Sequence, residues 1–395
     1  MPRSACVIPL LVFLLAGPAR AAPLAAELLT PDLERRAVGV LSVAGGRLRA
    51  VDGDRNATDS SLRGVVRLSF GGVEGDPDAP PAGPLPDAGR RPLAGHLILT
   101  DGQVLAGRPA AEAGGGESLA WAHPRLGRVV VPLGRVASVS LGPEAEGAAP
   151  GRPRPPSADR LRLANGDALV GFAVSTDAAG VAFEPEGGAA ATVPWAAVAG
   201  LRLANPAAGP PAGDLVELAD GSRFAASARF DGAVWTLADP LPGLSPPVAA
   251  LQDVEPAAVV ALEPGASGLR RLGLGGVTVD EPEPAVAFGV PFPARSDGGV
   301  LRLHAPTRVV LSAPGVGVRR ARVRLALDPV AAASPLAALE ADLGGPPVRL
   351  DAARPSATLA AEGAGPLVLT LAASEHGPVL DRVVVESVEL LVAAD

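Results

Sequence analysis

The 395-residue chain contains no lysine and no tyrosine, and its one cysteine is Cys6. Without lysine, no Ser-x-x-Lys nucleophile can form. Because Cys6 lies within a predicted signal peptide, the rest of the chain has no thiol for disulfides, thiol catalysis or metal binding. We attribute the missing lysines and the abundant arginines, alanines and glycines to the codon bias of a GC-rich genome, so they carry no functional information.

The motifs of common enzyme classes are absent as well. The sequence has no G-x-S-x-G nucleophile elbow, and its glycine-rich runs precede no predicted helix, so they are not phosphate-binding loops. No His-x-His or i, i+4 pair that would favour a metal site occurs among the four histidines, which are His96, His123, His304 and His376. The sequence predicts a non-enzymatic protein with no catalytic residues, no metal and no cofactor.

Residues 1–21 have the three parts of a secretory signal peptide. A short basic start containing Arg3 is followed by an apolar run over residues 7–15 and a small-residue site ending at Ala21. The run is shorter than the roughly 20 residues that span a bilayer. We therefore expect cleavage after Ala21 and a secreted or periplasmic protein that is not inserted in a membrane.

The balance of charge after cleavage is acidic. Removing Arg3 and Arg20 leaves 32 basic residues against 42 acidic ones, a net charge of −10. Such a surface repels the phosphates of nucleic acids. We therefore expect no nucleic-acid partner.

Four segments share a hairpin pattern. Apolar positions alternate around an Asp-Gly or Asn-Gly pair at residues 97–105, 161–169 and 216–224. These pairs favour a type I′ turn because both central residues need positive φ. A more divergent hairpin is predicted at residues 39–51, turning at Ala44-Gly45-Gly46.

A second pattern follows each hairpin. Apolar residues spaced by three indicate a helical or 3₁₀ turn, and the alternation after them indicates a closing strand. In chain order the spaced residues are Leu62, Val65 and Leu68; Leu133, Val136 and Val139; Trp195, Val198 and Leu201; and Val248, Leu251 and Val254. The order of hairpin, turn and closing strand is like that of an SH3 or Sm barrel.

These patterns predict four small β-barrel repeats, numbered from the N-terminus: residues 22–75, 93–142, 158–204 and 213–263. Segments rich in proline, glycine and alanine separate them at residues 76–92, 143–156 and 206–211. Because such segments do not pack as a core, we expect the repeats to fold as separate units, like beads.

Residues 264–395, here called the C-terminal unit, have a different pattern. Alternating segments predict antiparallel strands with one buried face at residues 308–312, 319–328, 336–343, 357–361, 367–373 and 383–392. Several short strands at regular spacing favour a β-sandwich of the jelly-roll kind. The fold class predicted for the whole chain is all-β.

Three features of the C-terminal unit resemble the NPCBM family of carbohydrate-binding modules. They are Leu303-His304-Ala305-Pro306-Thr307, the arginine-rich strand ending at Asp328, and the closing segment around Asp381. The resemblance implies a β-sandwich that binds carbohydrate, with His304, Asp328 and Asp381 at the ligand. Sugar rings usually stack on aromatic side chains, and this unit has only Phe288 and Phe292.

The sequence therefore predicts an exported, non-enzymatic protein that binds or scaffolds at the cell envelope. The resemblance implies a carbohydrate ligand, whereas the few aromatic residues favour a protein partner or a structural role. An accessory subunit of a polysaccharide-degrading system is the alternative. Trp195 replaces Leu133 of the preceding repeat and is predicted to pack in the core, while Trp121 and Trp235 are assigned to neither core nor surface.

Overall fold

The computed structural model describes residues 22–71, 95–111, 116–141, 157–274, 277–287, 290–297, 300–313, 317–363, 365–373 and 381–393. Their structure is almost entirely antiparallel β, which confirms the predicted class. The predicted signal peptide and the predicted linkers 76–92 and 143–156 lie outside the described residues. In the described part of the chain, no helix has the length and apolar character needed to cross a membrane.

The first two repeats contain eleven of the strands. The first repeat has β1 (Leu24–Leu29), β2 (Arg35–Ala44), β3 (Arg47–Val51), β4 (Ala57–Ser61) and β5 (Arg67–Phe70). The second has β6 (Gly95–Leu99), β7 (Val104–Ala106), β8 (Arg108–Pro109), β9 (Ser118–His123), β10 (Gly127–Pro132) and β11 (Val136–Leu141).

The next two repeats contain ten strands. The third has β12 (Asp159–Leu163), β13 (Ala168–Thr176), β14 (Gly180–Pro185), β15 (Ala191–Pro194) and β16 (Val198–Arg202). The fourth has β17 (Asp214–Leu218), β18 (Arg223–Phe230), β19 (Trp235–Ala238), β20 (Leu251–Val254) and β21 (Val259–Glu263).

All four repeats follow one order of pairing. In each, the first strand pairs with both the second strand and the last strand. A 3₁₀ turn always precedes the last strand, at Leu62–Gly64, Leu133–Arg135, Trp195–Ala197 and Pro256–Ala258. The first three turns lie where the apolar spacing predicted them.

In the fourth repeat the predicted position of the turn is wrong. Leu251 and Val254 lie in β20, and the turn begins at Pro256. Proline fixes φ near −65° and so suits the first position of such a turn. A search for apolar residues spaced by three does not find a turn that begins with proline. Val259 and Leu262 nevertheless follow Pro256 at the same spacing as Val136 and Val139 follow Leu133.

In the first repeat the predicted hairpin is present, but it joins the second and third strands, whereas the predicted hairpins of the other repeats join the first and second strands. β2 and β3 are joined at Gly45 and Gly46, whose φ angles are 57° and 74°. The turn equivalent to Asp101-Gly102 lies upstream, between β1 and β2, where it lacks an Asp-Gly pair. The hairpin at residues 39–51 is therefore the second hairpin of its repeat.

The repeats do not fold as separate beads, so that expectation is wrong. Strands from all four repeats are linked in one 18-stranded sheet, and their buried side chains form one hydrophobic cluster. The predicted linker at residues 206–211 contacts the second repeat, because the Ala208 amide donates to the Thr100 carbonyl at 3.0 Å. Docking of the repeats therefore buries apolar side chains between them and enlarges the core beyond that of one repeat.

Closing strands pair with each other at equivalent residues. Val139 of β11 lies opposite Leu201 of β16, and both occupy the same position of the repeat. Leu68 of β5 lies opposite Leu262 of β21 in the same way. An antiparallel pair centred on equivalent residues has a local two-fold axis, so the second repeat is paired with the third and the first with the fourth.

The C-terminal unit contains the remaining strands and one short helix, α1 (Pro329–Ala332). All six segments predicted from the sequence contain a strand. The strands are β22 (Leu269–Leu272), β23 (Thr278–Glu283), β24 (Ala285–Ala287), β25 (Val290–Phe292), β26 (Arg295–Asp297), β27 (Val300–His304), β28 (Thr307–Ser312), β29 (Val318–Leu327), β30 (Ala338–Asp342), β31 (Val348–Asp351), β32 (Ser356–Glu362), β33 (Leu367–Ala373) and β34 (Arg382–Ala393).

Two sheets dominate this unit. One has the order β26-β27-β34-β29-β32 with β22 also paired to β34, and the other has the order β23-β28-β33-β30-β31. Buried and less buried residues alternate along β29 from Ala321, whereas residues 388–392 of β34 are all buried. The inward side chains of both sheets form one buried cluster. The core of the unit is therefore enclosed by these two sheets.

The C-terminal unit is packed against the first repeat. Leu391 of β34 lies in a small buried cluster with Leu29, Leu33 and Val66 of the first repeat. Glu389 receives hydrogen bonds from Arg35 Nη2 at 2.5 Å and from Arg271 Nε at 2.9 Å. Apolar and ionic contacts thus join the two parts.

Candidate binding site in the C-terminal unit

The three residues implied by the family resemblance come together at one end of the β27–β34–β29 sheet. His304 ends β27 and lies opposite Arg382 of β34. The Ala305 amide donates to the Asp381 carbonyl at 2.8 Å, and the Asp328 amide donates to the Arg382 carbonyl at 3.0 Å. Three segments that are distant in the sequence therefore meet at one place.

The side chains of these residues have different surroundings. Asp381 is 1% exposed and forms part of the interior of the site. Asp328 caps α1 by accepting the Val330 amide at 3.0 Å, and it forms an ion pair with Arg302 Nη1 at 3.0 Å. His304 is half-buried, so it and Asp328 lie nearer the surface than Asp381 does.

His304 is stacked on an aromatic ring. The centroids of the His304 and Phe292 rings are 4.6 Å apart, and the ring planes meet at 26°. Burial and the positive charge of Arg382 lower the pKa of His304, although Asp328 acts in the opposite direction. At neutral pH the imidazole is therefore uncharged, and it covers one face of the Phe292 ring. Both rings are half-buried, so a sugar ring would pack on an outer face of the stacked pair.

A carboxylate below the surface holds the Phe292 segment in place. Glu281 accepts hydrogen bonds from Thr307 Oγ1 at 2.8 Å and from the Ala294 amide. Thr307 follows the cis Ala305–Pro306 bond, and Ala294 lies two residues after Phe292. Glu281 thus connects the strand after His304 to the segment that carries the stacked ring.

Arginines surround the stacked rings. Arg295 lies opposite Arg302 in the sheet, and Arg382 lies opposite His304, so all three project from the face that carries His304. Asp328 is the acid paired with this group. We call the set the His304 cluster: Phe292, Arg295, Arg302, His304, Asp328 and Arg382. With the nearby Glu281 included, the site has three positive charges against two negative ones, and this positive excess favours an anionic ligand.

Sequence reasoning missed a buried Ser-His-Asp group between the second and fourth repeats. His123 Nε2 lies 2.8 Å from Ser222 Oγ and 3.9 Å from Asp220 Oδ2. Ser222 is 0% exposed and His123 is 3% exposed. No local sequence pattern connects them, because they belong to different repeats and meet only where β7 and β18 pair.

This group does not have the geometry of a catalytic triad. His123 Nδ1 accepts the Arg125 and Leu126 amides at 3.1 and 3.0 Å, so the proton of the neutral ring is on Nε2. Nε2 therefore donates to Ser222 and cannot act as its base, as a triad histidine does. The hydrogen bond between His123 and Ser222 joins the second repeat to the fourth.

Trp195 lies beside a cleft rather than in the core. It is half-buried, packs on the edge of the core, and donates from Nε1 to the Asp177 carbonyl at 2.9 Å. The cleft has a volume of about 690 Å³ and is also lined by Arg108 and Arg128 of the second repeat. Trp121 and Trp235, by contrast, are both 0% exposed and belong to the core.

The described residues contain no group of three or more histidine, aspartate or glutamate side chains that could hold a metal ion. No protein-family model matches the chain, and comparison with curated proteins and with solved structures gives no match either. The functional conclusion therefore rests on the geometry of the His304 cluster.

Proposed function

We propose that the chain is an exported, non-enzymatic binding protein of the cell envelope whose C-terminal unit binds an acidic carbohydrate. The observation that carries the proposal is the convergence of His304, Asp328 and Asp381 beside a stacked aromatic ring. An outer face of a stacked ring pair packs on a sugar ring, and arginines around it pair with carboxylate or sulfate groups. Both features are present in the His304 cluster.

We also propose that the repeats are small barrels and that the C-terminal unit is a jelly-roll sandwich. A five-strand repeat with a 3₁₀ turn before its last strand is the plan of an SH3-like or Sm-like barrel, and two sheets around one core are the plan of a jelly-roll sandwich. The NPCBM resemblance of the C-terminal unit is supported by its strand positions and by the meeting of its motif residues. Export rests on the signal-peptide pattern of residues 1–21.

The test is a binding panel on the full chain with polygalacturonate as the acidic polysaccharide and dextran as the neutral one. We expect saturable binding of polygalacturonate that weakens as salt is added, since ionic contacts are screened. The double variant R302A/R382A should reduce the affinity by about tenfold or more. R349A is the matched control, because Arg349 belongs to the same unit and its side chain is 67% exposed.

Three results would contradict the proposal. Equal binding by the wild type and R302A/R382A would place the ligand elsewhere. Loss of binding in W195A alone would transfer the function to the Trp195 cleft, which also combines an aromatic ring with arginines. Absence of binding by the wild type to both polysaccharides would favour the scaffold alternative.

A further inference from the structure

The outer face of the third repeat carries an uncovered apolar row. Val170, Phe172 and Val174 of β13 are 39%, 59% and 49% exposed. Exposed large apolar side chains are few among the described residues, and three of them lie side by side on this strand. Contiguous exposed apolar side chains are typical of interaction surfaces.

The equivalent strands of two other repeats are already used for docking. Counted from the glycine of the first turn, the position of Val170 corresponds to Ala106 of β7 and Ala225 of β18, both 0% exposed. They are buried where the second and fourth repeats meet, and the Ala225 amide there donates to Gln103 Oε1 at 2.7 Å. The third repeat presents the same strand with larger apolar side chains.

Opposite charges line the two sides of the apolar row. On β12, Arg160 lies directly opposite Val170, and on β14, Glu184 lies directly opposite Phe172. Glu186 follows β14 and donates its amide to the Val170 carbonyl at 2.9 Å, so it lies level with Val170 on the acidic side. Arg160, Glu184 and Glu186 are all exposed.

This arrangement is complementary to itself. If a second copy is related by a two-fold axis parallel to β13, the two apolar rows face each other. The same rotation places the basic side of one copy over the acidic side of the other, so that Arg160 faces Glu186 of the second copy. Isologous contacts of this kind are the commonest way in which identical chains associate.

The basic side extends onto a second strand, because Arg202 of β16 lies directly opposite Arg160. Burial and the charge of Arg160 lower the pKa of Arg202, so the two guanidinium groups lie close enough to interact.

We propose that the β13 face of the third repeat is a homodimer interface formed with a second copy of this chain. The proposal is independent of ligand binding by the His304 cluster, which lies in the other part of the molecule. A dimer presents two C-terminal units to one polysaccharide and so increases its apparent affinity for a polymer.

Sedimentation equilibrium of the full chain over a range of concentrations tests the proposal. We expect the wild type to form a dimer and both F172D and R160E to raise the dimer dissociation constant by about tenfold or more. Because Phe172 and Arg160 are exposed, both variants should keep the circular dichroism spectrum of the wild type, so a loss of association would not reflect a loss of fold. L336D is the matched control, since Leu336 is 54% exposed but lies in the C-terminal unit, and it should remain a dimer.

The charge exchange R160E/E186R provides a sharper test. In the two-fold arrangement the exchanged charges at positions 160 and 186 would still face each other with opposite signs, so the double variant should regain the dimerisation that R160E loses. A wild type that stays monomeric at every concentration, or an F172D variant that dimerises as the wild type does, would overturn the proposal. A double variant that is as weak as R160E would overturn the two-fold arrangement.

Discussion

The first turn of every repeat contains one residue with left-handed backbone geometry. In the last three repeats this residue is Gly102, Gly166 or Gly221, with φ angles of 84°, 94° and 85°. In the first repeat it is Leu33, with φ of 60°. The same hydrogen bond closes the turn, because the Leu33 amide donates to the Thr30 carbonyl at 3.0 Å and the Gly166 amide donates to the Leu163 carbonyl.

Leucine is unfavourable at this φ, and packing explains why it is present. A left-handed residue with a side chain costs about 1–2 kcal/mol, but Leu33 is 3% exposed and contacts the cluster that contains Leu391. Burial of a leucine stabilises by about 1.5–3 kcal/mol. The first repeat therefore replaces a favourable turn residue with a contact to the C-terminal unit.

Two substitutions of Leu33 distinguish the cost of its backbone conformation from the stabilisation by its buried side chain. L33A removes the buried side chain but keeps the strained φ, so we expect it to lower the free energy of unfolding by about 2–4 kcal/mol. L33G removes the same contact but relieves the strain, so it should be the more stable variant by about 1 kcal/mol. Urea unfolding measures both values, and an L33G variant less stable than L33A would show that the turn is not strained.

His123 makes the contact between the second and fourth repeats sensitive to pH. Burial is the main cause that lowers the pKa of His123 to about 4, because the nearby Asp220 raises it less than burial lowers it. In the unfolded chain the pKa is about 6.5. The unfolded state therefore binds the proton more readily, and acidification from pH 6.5 towards pH 4 reduces stability.

The variant H123N isolates this effect. Asn Oδ1 lies where His Nδ1 does and can accept the same amides, but asparagine does not titrate. We expect H123N to be less stable than the wild type at pH 7 and the difference to shrink by about 3 kcal/mol as pH falls to 4. Stability curves against pH that run parallel for the two proteins would contradict the assignment.

At the scale of elements, a buried ion network crosses the pair of closing strands β5 and β21. Glu263 accepts hydrogen bonds from Arg67 Nη1 at 2.8 Å and from Arg223 Nη2 at 2.9 Å, and its side chain is 2% exposed. Burial acts to raise the pKa of Glu263, but the charges of Arg223, Arg67 and Arg271 together lower it. The carboxylate is therefore ionised, and it connects the first repeat to the fourth.

Removing this carboxylate charge should be costly. E263Q removes the buried carboxylate shared by Arg67, which keeps its ion pair with Glu217, and by the part-exposed Arg223. We expect the free energy of unfolding at pH 7 to fall by about 2–4 kcal/mol. E34Q is the control, because the Arg36–Glu34 pair is 66% and 57% exposed and should contribute less than about 1 kcal/mol. Since the folded pKa of Glu263 is lowered, the difference between wild type and E263Q should shrink as pH falls below about 4.5. Equal effects of E263Q and E34Q would show that the network does not support the fold.

Local patterns predicted the elements well because turn residues and alternation act over a few residues. The Asp-Gly and Asn-Gly hairpins and the six strands of the C-terminal unit are found where the sequence places them. The predicted type I′ turn is wrong, because only the glycine of each pair has a positive φ. The turn at Pro256 was missed because a proline stands where the other repeats have an apolar residue. The left-handed Leu33 was missed because a leucine that packs against the C-terminal unit stands where the other repeats have glycine. The three site residues were found through a family resemblance, but Phe292 and the arginines around it are brought together only by strand pairing.

At the scale of the whole molecule, the sequence pattern gave the wrong relation between the repeats. Proline-rich segments suggested independent beads, whereas Val139–Leu201 and Leu68–Leu262 pairing and a common core join the repeats. Long-range pairing depends on the surfaces that the folded repeats present to each other, and no short pattern encodes them. The joined repeats form one support for the C-terminal unit.

The tryptophans offer a direct test of this shared core. Trp121, Trp195 and Trp235 belong to the second, third and fourth repeats, so three variants that each retain one tryptophan report on three repeats. If the core is shared, each variant should unfold in urea with the same midpoint by tryptophan fluorescence and by circular dichroism, whichever repeat carries the tryptophan. Fluorescence transitions that precede or follow the loss of circular dichroism would indicate independent repeats.

The central claim is that the His304 cluster binds an acidic carbohydrate, and amide hydrogen exchange of the full chain with and without polygalacturonate tests it most directly. We predict slower exchange in the ligand complex at residues 301–307 and 382–385, where the backbone carries His304 and the surrounding arginines. Exchange at residues 108–111 and 195–197, beside the Trp195 cleft, should not change. Protection confined to that cleft, or the same exchange with and without the polysaccharide, would contradict the claim.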